Sequence, residues 1–199
     1  MADEAMYRKE SIVSNAIDVI SESGLQAIST KEIAKRSGIS EGTLFRHFPR
    51  KNILLQAVLE HYCQYDDDIF HTAMMKNVSP RDALLFYIEF YAAYYENYPE
   101  ITVIMQSYDL INSIPEIRED IGKIFGRRRE FMRQLIEKVK ESGEIKKEAD
   151  SELLTDIFSS SLRGICLVWR MKSFGFPLKK RLMNTAYMLL DAFGTSEKV

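Results

Sequence analysis

At 199 residues the chain is long enough for one large domain, or for a small and a medium one. Its 46% hydrophobic and 28% charged residues are those of an ordinary folded globular protein and exclude a disordered chain. A net charge of -2 excludes a polycation that coats nucleic acid or membrane indiscriminately, so any affinity for DNA must come from a local basic patch.

The N-terminal stretch MADEAMYRKE is polar and acidic, without the apolar core of an export signal. No stretch reaches the roughly 18 apolar residues of a membrane span, since even ALLFYIEFYAAYY carries Glu89. Cys63 and Cys166 lie far apart without metal-ligand spacing, which fits a reducing compartment, and both read as buried small apolar residues. The expectation is a cytoplasmic protein.

A first helix is predicted over 8–23, with Ile12, Val13, Ala16, Ile17 and Ile20 on one face and Gly24 as its stop. Ser29-Thr30-Lys31-Glu32 reads as a capping box that starts a second, short helix with Ile33 and Ala34 inward. Gly38 ends it, because glycine takes the left-handed cap conformation without steric cost. Ile39 then tucks under the turn and Ser40 caps a third helix, whose Leu44 and Phe48 face inward and which Pro49 terminates. Two short helices joined in this way form a helix-turn-helix, whose second helix can lie in the DNA major groove. Lys31, Lys35, Arg36, Arg46, Arg50 and Lys51, against only Glu32 and Glu41, supply the basic footprint that phosphate binding needs.

Thr30, Ile33-Ala34, Gly38-Ile39-Ser40, Gly42-Thr43-Leu44-Phe45, His47-Phe48, and Lys51 with Leu54 resemble the N-terminal signature of the TetR family of bacterial transcriptional regulators. The resemblance covers about 12–55; the rest of the chain is similar only in length and helical character. It implies a homodimer that binds double-stranded operator DNA, with a larger helical C-terminal domain that binds a small-molecule effector. The fold class expected is all-α, with a helix-turn-helix domain at 1–52 and a helical effector-binding and dimerisation domain at 53–199.

Glu41, Gly42 and Thr43 occupy the first turn of the third helix, where base readout is expected. Thr43 can meet a thymine methyl and bond a base or phosphate, while Glu41 either accepts from a cytosine amino group or is simply solvated. Gly42 would let the helix backbone come close. Phe45 stands where the family most often has tyrosine, so it offers only an apolar contact to sugar or thymine, or packs within the small domain. Arg46 reads guanine or binds phosphate, and His47 contacts phosphate or makes a structural hydrogen bond. Lys51, Thr30 and Lys31 sit at helix starts suited to phosphate, whereas Lys35, Arg36 and Arg50 read as solvated.

A fourth helix is predicted over 51–65, carrying Ile53, Leu54, Val58 and Leu59 and joining the two domains. The pattern weakens over 66–80, and Asp66-Asp67-Asp68 before His71 reads as a solvated loop. Further helices are predicted over 80–98 after the cap Ser79, over 100–111, and from Pro115 to Ser142-Gly143. Two more follow over 150–174 and 178–193, separated by Gly175-Phe176-Pro177.

Tyr87, Phe90, Tyr91, Tyr94 and Tyr95, with Met105, Gln106, Tyr108 and Asp109 and with Phe158 and Trp169 as walls, either line an effector pocket or form ordinary core. Glu89 and Asp109 would favour a cationic ligand and Arg127, Arg128 and Arg129 an anionic one, but such charges are usually solvated. Leu154, Ile157, Phe158, Ser161 and Ile165 of the penultimate helix, with Leu182, Ala186 and Leu189 of the last, are expected either to form a four-helix bundle with a second subunit or to bury only their own core. With three histidines, His47, His61 and His71, and no Gly-rich phosphate loop or GxSxG motif, neither catalysis, a metal nor a cofactor is expected. The reading is a repressor released from a palindromic operator by a small molecule. Its competitor is a DNA-bound scaffold whose larger domain recruits a protein.

Overall fold

The computed structural model describes residues 2–75 and 77–195; residues 196–199, at the end of the expected second domain, lie outside the described residues. Among these every regular element is helical: α1 Ala2–Ser23, α2 Thr30–Arg36, α3 Glu41–His47, α4 Lys51–Tyr62, α5 Asp66–Ala73, α6 Pro80–Asn97, α7 Thr102–Gln106, α8 Tyr108–Asn112, α9 Arg118–Glu141, α10 Ser151–Met171 and α11 Leu178–Phe193. An isolated antiparallel bridge joins Ile145 to Gly194. The chain divides into two compact units, Met1–Gln64 with Glu100–Ile124, and Tyr65–Pro99 with Phe125–Val199.

In the first unit α1 packs on α2 and α4, α2 on α3, and α7 against α1. Ile12, Ala16, Ile17 and Ile20 of α1 are fully buried at the predicted helical spacing. Burial of each isoleucine contributes roughly 1.5–3 kcal/mol. That packing sustains α2 and α3, seven residues each, which are too short to be stable alone.

Local chemistry sets their boundaries. Ser29 Oγ accepts from the Glu32 amide at 3.2 Å, but the Glu32 carboxylate turns to Arg36, so only the serine half of the capping box forms. Gly38 sits at φ 66°, its amide donating to Lys35 O and that of Ile39 to Ala34 O, the paired bonds of a left-handed helix cap. Ser40 Oγ accepts from the Thr43 amide at 3.1 Å. Phe48, at φ -132° and ψ 87°, has left the helical region before Pro49.

In the second unit α6 packs against α5 and α11, and α10 against α11. Leu84, Ile88 and Ala92 on α6, and Leu178, Leu182, Ala186 and Leu190 on α11, are buried at every fourth position, the spacing that builds packing ridges. Ser79 caps α6 by accepting from the Asp82 amide.

α1 begins at Ala2, six residues before its predicted start, and α4 ends at Tyr62, three before its predicted end; the structure departs from the predicted elements in four further places. The stretch over 66–68 is the first turn of α5 and not a loop: aspartates suit a helix N-terminus, and Asp66 is drawn inward by Arg128 of α9, a partner no local pattern displays. The helix predicted over 100–111 is broken into a 3-10 turn, α7 and α8, because Ser107 at φ -101° and ψ 16° bonds back only to Ile104. The long helix begins at Arg118, since Ile114 and Ile117 make three-residue turns. Finally, α10 stops at Met171, with Ser173 and Phe174 at positive φ of 49° and 61°. Gly175 follows because a Cβ there would lie 2.8 Å from Lys172 O.

Candidate nucleic-acid interface

The residues predicted to meet DNA lie on and around α3. Glu41, Gly42, Phe45 and Arg46 are exposed, Thr43 and His47 are half-buried, and Leu44 and Phe48 hold the helix to the unit's core. Phe45 is 41% exposed, so part of its ring is open to an outside contact. Thr30 is half-buried at the start of α2, while Lys31 and Lys51 are exposed in the first turns of α2 and α4.

Two hydrogen-bonded groups organise this surface. Thr30 Oγ1 donates to Glu41 Oε1, tying the first residue of α2 to the first residue of α3. Along α3, Ser40 Oγ lies 3.0 Å from Thr43 Oγ1, which accepts from Arg46 Nη2 at 3.2 Å. Glu41 is thus not a merely solvated side chain.

Arg36 is exposed, as expected, but ion-paired. It donates to both carboxylate oxygens of Glu22, at 2.7 and 2.6 Å, and to Glu32 at 3.0 Å, and these carboxylates hold its guanidinium above the usual range. It fastens α2 to α1 and drops out of the basic patch. His47 faces an open depression of about 440 Å³ together with Phe48, Ile53 and His61. Burial holds the His61 imidazole below its ordinary pKa, with Glu10 acting weakly in the opposite sense.

The eleven residues expected to line one pocket divide between the units. Tyr87, Phe90, Tyr91, Tyr94, Tyr95, Phe158 and Trp169 belong to the second, and Met105, Gln106, Tyr108 and Asp109 to the first. Within the second unit the rings of Phe90, Tyr91 and Tyr94 touch, with Tyr65 edge-on to Phe90 and Tyr94. Trp169 is engaged elsewhere, edge-on to Phe174 and donating to Phe176 O at 2.8 Å. The run Arg127 to Arg129 is ion-paired, to Asp67, to Asp66, and to Glu152 with Asp156 respectively.

Of the residues expected at a subunit interface, Leu154, Phe158, Leu182 and Ala186 are buried within their own chain, while Ile157, Ser161, Ile165 and Leu189 are half-buried. The first stripe read from the sequence is therefore turned largely inward. A second stripe shares only Ile157 with that expectation: Leu153, Ile157, Ser160, Gly164, Leu167 and Met171 follow one another at alternating steps of four and three along α10, and all but half-buried Ile157 are exposed. Tyr187 and Met188 of α11 are exposed too. That stepping, a heptad-like seam, was the available signal.

Among the described residues no cluster of three or more His, Cys, Asp or Glu side chains could hold a metal ion. No described helix is long and apolar enough to cross a membrane.

This geometry, a capped helix-turn-helix with an exposed polar second helix ahead of a larger helical unit, defines a helix-turn-helix regulator. A family model described as bacterial regulatory proteins, tetR family, matches residues 12–58, and one described as YsiA-like protein, C-terminal region, matches residues 60–192. The chain belongs to the TetR family of bacterial transcriptional regulators.

The nucleoid occlusion factor SlmA of Haemophilus ducreyi is 28% identical over 105 residues, which are 53% of this chain and 52% of that protein. The chain thus spans about half the length of that curated relative. The ketosteroid transcriptional regulator KstR2 of Mycobacterium tuberculosis superposes with a TM-score of 0.82 at 16% identity, covering 95% of this chain and 96% of that one. FadR of Bacillus subtilis, in a complex with stearoyl-CoA, gives a TM-score of 0.75 at 20% identity over 95% and 99%. At these identities the two structures share the fold.

Proposed function

We propose that this regulator is a sequence-specific repressor that binds a near-palindromic operator as a homodimer and leaves it when a small molecule binds the larger helical part. In this reading 1–52 is the DNA-binding domain, 53–199 serves effector binding and dimerisation, and the protein works in the cytoplasm. Gly42 carries the reading. A glycine in a helix costs up to about 1 kcal/mol relative to alanine. Yet a Cβ at 42 would meet only Ser40 Oγ, at an ordinary 3.9 Å. The chain's own packing has no use for the missing side chain, whereas a DNA surface pressed against α3 does. Thr30, Lys31, Thr43, Phe45, Arg46, His47 and Lys51 surround that point of approach.

Dimerisation is supported by the exposed seam on α10, where a Cβ on the central Gly164 would likewise meet nothing within 4 Å. A second copy laid along Ser160 and Gly164 fills that space. The effector reading is supported by the aromatic face of α6 and by two neighbours in fold, one a ketosteroid regulator and one holding stearoyl-CoA. An effector with a large apolar part suits Tyr87, Phe90, Tyr91, Tyr94 and Phe158. It releases DNA by favouring a conformation with wrongly spaced recognition helices, to the extent that it binds the two conformations differently.

Selection of bound duplexes from a random pool at near-physiological salt tests this. A two-fold symmetric site is expected, with half-sites about one helical turn apart or a multiple of it. Gly164→Leu should sediment as a monomer and lose that site. Weak, strongly salt-dependent binding without enrichment would overturn the reading.

The likeness to a nucleoid occlusion factor favours a second reading, a DNA-bound scaffold whose larger part recruits a protein. It predicts that operator affinity is unchanged by saturating acyl or steroid ligands.

A further inference from the structure

Resting on the DNA-binding reading, we propose that Glu41 and Arg46 are the base-reading residues of α3, Glu41 for cytosine and Arg46 for guanine. Each is aimed by a hydroxyl that the sequence alone assigns to DNA contact: Thr30 positions Glu41 and Thr43 positions Arg46.

The Thr30 hydroxyl has one proton, and it goes to Glu41 Oε1. It cannot at the same time donate to a phosphate, and a carboxylate at that spot repels one. Thr30 is therefore a buttress and not a phosphate ligand. The bond fixes Glu41, otherwise a flexible exposed side chain, while an ionised carboxylate with about four acceptor sites keeps most of them for an outside donor. In the major groove such donors are the amino groups of cytosine and adenine. Adenine sets its N7 acceptor beside the amino group, where a second carboxylate oxygen opposes it. Cytosine does not, and it is the base that Glu41 selects.

Thr43 is occupied in the same way. Its hydroxyl lies 3.0 Å from Ser40 Oγ and accepts from Arg46 Nη2 at 3.2 Å. Arg46 uses one of its five donors there and turns the rest to solvent. At 3.6 residues per turn, Gly42 and Arg46 fall on the side of α3 opposite the buried Leu44 and Phe48. A guanidinium held there, next to a backbone stripped of its Cβ, matches the paired O6 and N7 acceptors of guanine.

Duplex selection with the full chain and with E41A, E41Q, R46A, T30V and T30S tests the assignment. The unsubstituted chain should enrich half-sites with one required cytosine and one required guanine at different base pairs. E41A should relax the cytosine alone, and E41Q should shift that position to adenine, whose N6 and N7 a carboxamide matches. R46A should relax the guanine alone and weaken the best duplex about tenfold or more. T30V should reproduce the E41A pattern in weaker form, with T30S restoring it; Glu41 and Arg46 are exposed and Thr30 half-buried, and matching thermal melts check the fold. If T30V instead weakens every duplex equally with the sequence preference intact, Thr30 is a phosphate ligand and the proposal falls. It falls too if E41A and E41Q leave every position unchanged. Failure of the unsubstituted chain to enrich any site overturns the DNA-binding reading itself, a different result.

Discussion

Asp18 of α1 is held above the ordinary carboxylate range, first by burial and then by the neighbouring carboxylate of Glu100, with Arg36 pulling the other way. The sign of its effect on stability follows. A folded-state value above 3.8 means that the unfolded chain gives up this proton more readily, so stability is lost as pH rises through the folded value. Asp18→Asn removes that loss. Its melting temperature should exceed that of the parent at pH 7, with the advantage narrowing as pH is lowered towards 3.8, and an equal or lower value at pH 7 would contradict this. Burial acts in the same direction on Cys166: its thiol is pushed up to about 12, so it stays protonated and inert, in keeping with its apolar reading.

Among the elements, α9 carries two glycines that nothing in the chain demands. Gly122 and Gly126 have helical backbone, and a Cβ at either would meet nothing within 4 Å. Each exchange for alanine should raise the free energy of unfolding by about 0.5–1 kcal/mol, measured by denaturant titration. A loss of stability would show that another surface lies against those positions. The same reasoning separates the two faces of α10. Leu154 and Phe158 face their own core, while Gly164 faces outward into open space.

Across the second unit as a whole, one buried ion pair joins α5, α6 and α9. Arg128 donates to both Asp66 oxygens at 2.9 and 2.7 Å, lies over the Tyr91 ring and bonds Tyr95, while Tyr91 also donates to Asp66. Burial holds the Tyr91 phenol far above its usual range, so it remains a donor at any physiological pH. Arg128→Met leaves a buried carboxylate without its partner and should cost about 3–5 kcal/mol. The pair Asp66→Leu with Arg128→Met should recover more than half of that loss, because no lone charge is then buried. If the double exchange is as unstable as the single one, the tyrosines and not the charges hold these helices together.

What could be read directly from the chain was set by neighbours a few residues apart. Ser29, Gly38, Ser40 and Pro49 each act on their own backbone, so α2, the turn and α3 are where their residue types require, and so is the family signature they carry. In the second unit spacing marked α6 and α9 to α11 but not α5, and it did not settle which residues face inward. Leu153 and Leu154 are adjacent and equally apolar, yet Leu154 is buried and Leu153 is 60% exposed. The partners of Arg128 and Glu41 lie 62 and 11 residues away, and a local pattern carries no trace of such a bond. Tertiary structure therefore decided that Asp66 of the acidic run is a buried anchor and that Thr30 turns towards Glu41. Charge and hydrogen-bonding groups are properties of residues, but their partners are properties of the fold.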